Sequence, residues 1–193
     1  MLIVGFKMFN SFIRNILVFL RIKKPILILM QGLPCSGKTT YANRFIAGNP
    51  SFHHVSYDDE VQEIADQYGK TYNELFKQGN KIYRNIAARN LRNKIQHLKN
   101  NKRDMIIDMT NCSYYVRKDV LSNFIGTNYI KKIVVMPHIS KQEFIDRDML
   151  RYEELLRYGI EKCISVEVYE SFAKDYSRPH KNEGFDEINF VKE

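Results

Sequence analysis

Residues 25–40 read PILILMQGLPCSGKTT, and their reading decides the fold. An apolar run of strand length stops at Gly32, and Gly37, Lys38 and Thr39 complete the phosphate-loop pattern G-x-x-x-x-G-K-[ST]. Glycines let the backbone wrap an anion with its N–H groups turned inward, and a helix opening at Lys38 adds the positive end of its dipole. The segment Gly32, Cys35, Ser36, Gly37, Lys38, Thr39 and Thr40 is therefore expected to hold a nucleotide. In this pattern Lys38 reaches the β- and γ-phosphates and the Thr39 hydroxyl holds Mg²⁺. Cys35 stands at a variable position, so its side chain is expected to point away from the phosphates. The strand before the loop and the helix after it, Thr39 to Ala47, are both legible, which is the context the motif requires.

Working outward, 193 residues suit one main domain, and 44% apolar content with 12 Tyr and 12 Phe is ample for its core. Cys35, Cys112 and Cys163 fit neither a zinc site nor a disulfide framework, and free thiols imply a reducing, cytoplasmic compartment. The net charge of +8 is uneven: residues 1–57 hold seven basic and no acidic side chains, whereas residues 58–193 hold 23 basic and 22 acidic. The high isoelectric point is thus a property of the N-terminus and no nucleic-acid signature by itself.

Residues 1–24 read as an amphipathic basic helix preceding a domain over 25–193. At about 100° per residue, Lys7, Asn10, Ser11, Arg14, Asn15 and Arg21 share one arc of about 140°, with Phe and Ile filling the remainder. Arg14 interrupts the apolar run too early for a membrane span, and no small-residue cleavage site follows. Three readings stand: an added helix on the core, a peripheral contact with an anionic membrane surface, or an organelle-targeting segment.

Beyond the loop, the pattern predicts a strand over 53–57 that delivers Asp58 and Asp59, a helix over 60–67, and a capping box, Thr71-x-x-Glu74, opening a long helix over 72–99. On that helix Lys77, Lys81, Arg84, Arg92, Lys99 and Lys102 form a basic stripe, read as a solvated face or as a polyanion contact. A strand over 104–110 carries Asp108, and a helix over 114–125 and a strand over 131–136 follow. A capping box, Ser140-x-x-Glu143, then starts a helix with Arg147 and Arg151, and a helix over 165–176 and a strand over 185–191 close the chain. Alternating strands and helices predict an α/β fold: a parallel sheet of four to five strands covered by helices on both faces, with a helical lid.

Ligands in such sheets bind outside the carboxyl ends of the strands, so Lys38, Thr39, Asp58 and Asp108 are expected to meet in one cleft. Asp58 is the candidate to accept a proton from a substrate hydroxyl, its alternative being an N-cap that Asp59 could equally supply. Asp108 is expected beside Mg²⁺ with Thr39, and Arg147 and Arg151 as a lid over the transferred phosphoryl group.

Taken together these motifs resemble the kinase half of phage-type 5′-polynucleotide kinases, within the wider P-loop kinases that include zeta-toxin-like proteins. The resemblance runs from about Leu27 to Tyr176 and rests on GLPCSGKTT, Asp58-Asp59, Asp108-x-Thr110-Asn111 and Arg147-x-x-x-Arg151. It implies an ATP-dependent kinase with Asp58 as general base for a 5′-hydroxyl, Asp108 beside the metal, and Arg151 clamping phosphate with Arg147 beside it. It also implies ATP and Mg²⁺ as cofactors and a nucleic-acid or nucleoside acceptor. The sequence departs from the family at Val61, where the phage enzyme carries an arginine that grips a nucleic-acid phosphate. Two rival readings follow: a kinase for a small nucleoside, nucleotide or nucleotide sugar, and an ATP-gated binding protein tethered by its N-terminal helix.

Overall fold

Every strand of the central sheet runs in the same direction. A computed structural model describes residues 24–192, so the amphipathic helix expected before Lys24 lies outside the described residues. Strands β1 (Ile26–Gln31), β2 (His53–Ser56), β3 (Met105–Asp108), β4 (Ile130–Val135) and β5 (Glu187–Phe190) lie in the order β2-β3-β1-β4-β5. All neighbouring pairs are parallel, and β1 sits centrally with Leu27 opposite Met105 and Lys131. Six helices connect them: α1 (Lys38–Gly48), α2 (Tyr57–Gln67), α3 (Lys81–Asn100), α4 (Tyr114–Ser122), α5 (Lys141–Leu156) and α6 (Val166–Lys174).

Near-continuous apolar strands are what a sheet covered on both faces needs. Leu27 and Leu29 of β1 join Met105, Ile107, Ile133 and Val135 in a core with Leu91 and Leu98 of α3 and Leu121 of α4. The alternate residues Ile28 and Met30 pack on the other face with Ile106, Val134 and Ala42 of α1.

The helix expected over 72–99 is two pieces. The box between Thr71 and Glu74 does form, with Thr71 N–H donating to the Glu74 carboxylate at 2.8 Å and Glu74 N–H to the Thr71 hydroxyl at 3.2 Å. It opens only a 3₁₀ turn, Asn73–Phe76, because Gly79 takes a left-handed φ of 90° and turns the chain before α3 starts. Lys77 and Lys102 therefore fall outside α3, and the basic stripe is not one continuous face. Lys94 pairs with Glu60, and Lys99 donates to the Asn123 carbonyl. The box of Ser140 and Glu143 caps α5 as expected.

A buried arginine ties the C-terminal segment to the loop after β3. Arg117 is fully enclosed; it pairs with Glu183 at 2.7 Å and donates to the carbonyls of Asn111, Cys112 and Ser177. Guanidinium geometry suits this, since five N–H donors in a fixed fork can satisfy several acceptors at once.

Candidate active site

The loop between β1 and α1 is built for a close backbone approach. A Cβ on Gly32 would meet Ser36 Oγ at 2.4 Å and Met136 Cβ at 2.9 Å, so only glycine fits there. Cys35 and Gly37 both take left-handed φ values, 61° and 89°, a backbone pattern that suits an anion-binding concavity. Ser36 Oγ is buried without a partner among the described residues, and Lys38 Nζ is folded back onto the Leu33 carbonyl at 2.8 Å. An unsatisfied hydroxyl and an ammonium held by a single carbonyl are groups that a phosphate would satisfy. Burial pushes the Lys38 pKa down, opposed first by the carboxylate of Asp108 and also by that of Asp58. Thr39 and Thr40 are exposed on the first turn of α1.

Asp108 ends β3 and is buried. Its Oδ2 accepts a hydrogen bond from His54 Nε2 at 3.2 Å, and the other ring nitrogen of His54 lies 3.2 Å from Asp59 Oδ2. The bond to Asp108, followed by that to Asp59, pushes the His54 pKa up to about 9. His54 thus links two carboxylates as an imidazolium at neutral pH and holds Asp59 below the usual carboxylate range. The exposed Thr39 hydroxyl and the Asp108 carboxylate, one oxygen of which is engaged by His54, are the oxygen donors that a magnesium ion would take, its shell completed by water and substrate oxygens. The described residues contain no cluster of three or more His, Cys, Asp or Glu side chains arranged to hold a metal by themselves.

Asp58 and Asp59 lie inside the first turn of α2, which begins at Tyr57. Neither is the N-cap: Ser56 Oγ accepts from Asp59 N–H at 3.3 Å and takes that role. The Asp58 carboxylate accepts from Tyr72 Oη at 2.9 Å through one oxygen and from Lys162 Nζ at 2.7 Å through the other. Val61, one turn along, is fully buried among Ile64, Ala65 and Tyr72. A valine in that core cannot meet an acceptor phosphate.

α5 brings its arginines to the phosphate loop. Arg147 donates to the Cys35 carbonyl at 3.4 Å, and Arg151 pairs with the buried Asp148. Asp148 also accepts from Ile164 N–H at 3.0 Å and from Cys35 Sγ at 3.5 Å, so one carboxylate links lid helix, loop and following segment. The Cys35 side chain points to the lid, and burial, despite the nearby Arg151, pushes its thiol up to about 11.

Of the residues expected from the sequence, Lys38 lies within electrostatic reach of Asp108 and Asp58, and Arg147 and Arg151 lie beside Cys35 of the phosphate loop. His54, Tyr72, Asp148 and Lys162 were not foreseen. His54 is one of three polar residues in a four-residue strand, and Asp148 sits between Arg147 and Arg151 with no pattern that marks it. Lys162 occupies a stretch, 157–165, with no periodicity.

Among solved structures, the chain is similar to one from the Pnkp1/Rnl/Hen1 RNA repair complex at 23% identity and a TM-score of 0.62, over 78% of this chain and 43% of that one. It is also similar to a chain of the PezAT chromosomal toxin–antitoxin system of Streptococcus pneumoniae, at 17% identity and a TM-score of 0.65, over 95% and 75%. A fungal RNA kinase aligns at 12% identity and a TM-score of 0.52, over 87% and 74%. At such identities the likeness is one of fold, that of the P-loop kinases, and the chain spans less than half the length of the first of these relatives. No curated protein matches the sequence. The family model described as AAA domain matches residues 27–154, from β1 through most of α5. With its phosphate loop at the turn after β1 and its nucleotide-binding architecture, the chain belongs to the AAA domain family.

Proposed function

We propose that this P-loop domain is an ATP-dependent kinase that moves the γ-phosphate to the 5′-hydroxyl end of RNA or DNA. The observation that carries the reading is the gathering of opposite charges around one phosphate loop. The ammonium of Lys38 feels the carboxylates of both Asp108 and Asp58, while Arg147 and Arg151 reach the same loop from the lid. A domain that only bound nucleotide would have no use for a carboxylate aimed at an acceptor.

In this reading the loop N–H groups and Lys38 hold the phosphates, and Asp58 takes the proton of the incoming hydroxyl. The acceptor oxygen bonds to the γ-phosphorus as the bond to the β-phosphate oxygen breaks, leaving ADP. Arg151, with Arg147 beside it, offsets charge on the transferred group. Thr39 and Asp108 would hold Mg²⁺, which neutralises charge on the β- and γ-oxygens. We infer a reducing, cytoplasmic compartment from three cysteines whose spacing fits neither a disulfide framework nor a zinc site.

The burial of Val61 favours a second reading, a kinase for a small nucleoside or nucleotide. The two separate in an acceptor screen with γ-labelled ATP over 5′-hydroxyl RNA and DNA oligonucleotides and free nucleosides. Label on the oligonucleotides, with an acceptor KM that climbs steeply with salt, is the expected result. Label confined to nucleosides, with no salt dependence, would establish the second reading instead.

A further inference from the structure

Val61 leaves the acceptor without its phosphate contact, and the structure offers another wall beside Asp58. Lys162 Nζ, bound to Asp58 at 2.7 Å, lies 4.5 Å from the centre of the Tyr72 ring. Tyr72 packs on Phe76 with ring centres 5.2 Å apart. Phe76 is 48% exposed, and the guanidinium of Arg84 stands 5.3 Å from its ring, fixed by donation to the Leu75 carbonyl at 2.5 Å. A single ring therefore separates the candidate base from an open aromatic flanked by cations.

The segment bearing Lys162 is fastened on both sides. Cys163 N–H donates to Asn73 Oδ1 at 3.2 Å, on the same 3₁₀ turn as Phe76, and Ile164 N–H donates to Asp148 beneath the lid. Glu74, the acidic residue of that turn, is folded back onto Thr71 and does not oppose the cations.

We propose that Phe76, Arg84 and Lys162 form the docking surface for a single-stranded 5′ end, with the terminal base stacked on Phe76 and the first internucleotide phosphate held by Lys162. The inference rests on the kinase reading for the position of the acceptor hydroxyl. Exposed aromatics with adjacent cations suit bases and backbone phosphates, because every base offers a π-face and every linkage a charge. A free nucleoside gives Lys162 nothing to hold. Asp58 is half-exposed while Lys162 is largely covered, so an arriving phosphate reaches the ammonium from the Asp58 side, competes with the carboxylate for it and uncovers the base.

The test uses the full chain with 3′-labelled, 5′-hydroxyl single-stranded RNA and DNA ten-mers. Binding is read by fluorescence anisotropy without ATP, and acceptor KM by phosphoryl transfer. Phe76→Ala is expected to raise both Kd and acceptor KM by about tenfold, in the range of lost base stacking, while Phe76→Trp retains them. Lys162→Ala is expected to lower the salt slope of binding by about one, and Lys162→Arg to restore it. The RNA and DNA arms decide which strand docks more tightly. If transfer occurs but Phe76→Ala and Lys162→Ala leave Kd, KM and salt slope unchanged, the surface is wrong and the kinase reading survives. If no oligonucleotide is phosphorylated yet both variants weaken binding as stated, the kinase reading fails and the surface stands. Absence of binding by the wild-type chain overturns the surface outright. Thermal melting of each variant, with the Trp and Arg replacements, separates loss of the surface from loss of fold.

Discussion

The two sides of the cleft are made differently. The phosphate-loop side is a backbone device, in which a buried central strand, a glycine with no room for a methyl group and two left-handed residues fix the course of the loop. The side proposed to receive the acceptor is a side-chain device. Asp58, Tyr72, Phe76, Arg84 and Lys162 come from a helix, a 3₁₀ turn and the residue before it, a second helix and an irregular segment, and of these Phe76 and Asp58 are the side chains that water reaches most. A nucleotide's phosphates present the same shape every time, so the part that holds them can be rigid. Acceptors vary, and surface side chains can change without disturbing the sheet.

Substitutions on the two sides should therefore fail in different ways. The largest effect belongs to Lys38→Ala, which should remove both ATP binding and transfer, checked by nucleotide titration and γ-phosphate release. Asp58→Ala should lower transfer by about 10⁴-fold while the Kd for ATP is retained. Unimpaired transfer in that variant would erase the distinction between the two sides. Arg151→Ala should slow turnover by about 10³-fold if the guanidinium acts on the transferred group, and an unaltered rate would confine it to its pairing with Asp148.

Smaller effects sharpen the contrast. Gly32→Ala drives a methyl group into Ser36 and Met136, and should lower unfolding free energy by about 1–3 kcal/mol and weaken ATP binding. Denaturant titration and calorimetry measure the two losses separately. Thiol labelling should show the least dramatic difference. With its thiol raised to about 11, Cys35 is almost wholly protonated at pH 8, and Cys112, also near 11, is buried. Iodoacetamide at pH 8 should modify exposed Cys163 first, and the reaction at Cys35 should accelerate only as pH rises toward 11, read by peptide mass spectrometry.

What could be read from the sequence follows the same division. The strand, phosphate loop and α1 were legible because glycine spacing and a β-branched run report backbone requirements directly. Asp58 and Asp108 could be singled out because one follows a strand and the other ends one, and the carboxyl end of a parallel strand is a fixed address. Lys162 was not, since no local pattern tells that a residue more than a hundred positions away will pair with Asp58. The long helix was misjudged at Gly79, whose φ turns a continuous amphipathic pattern into a turn plus a helix. His54 was passed over because alternation in a short strand describes only which face a residue takes, not what it touches there.

Arg117 bears on how the polypeptide can be cut. A fragment trimmed to residues 27–154 would carry this arginine without Glu183 and without the Ser177 carbonyl, and so would lose the ion pair that fastens the C-terminal segment to the loop after β3. Such a fragment would also lose β5 and the open flank of β4 would lie bare to other chains. Anyone grafting or miniaturising this catalytic module should keep the tail through Phe190, because the last few dozen residues act as its clasp.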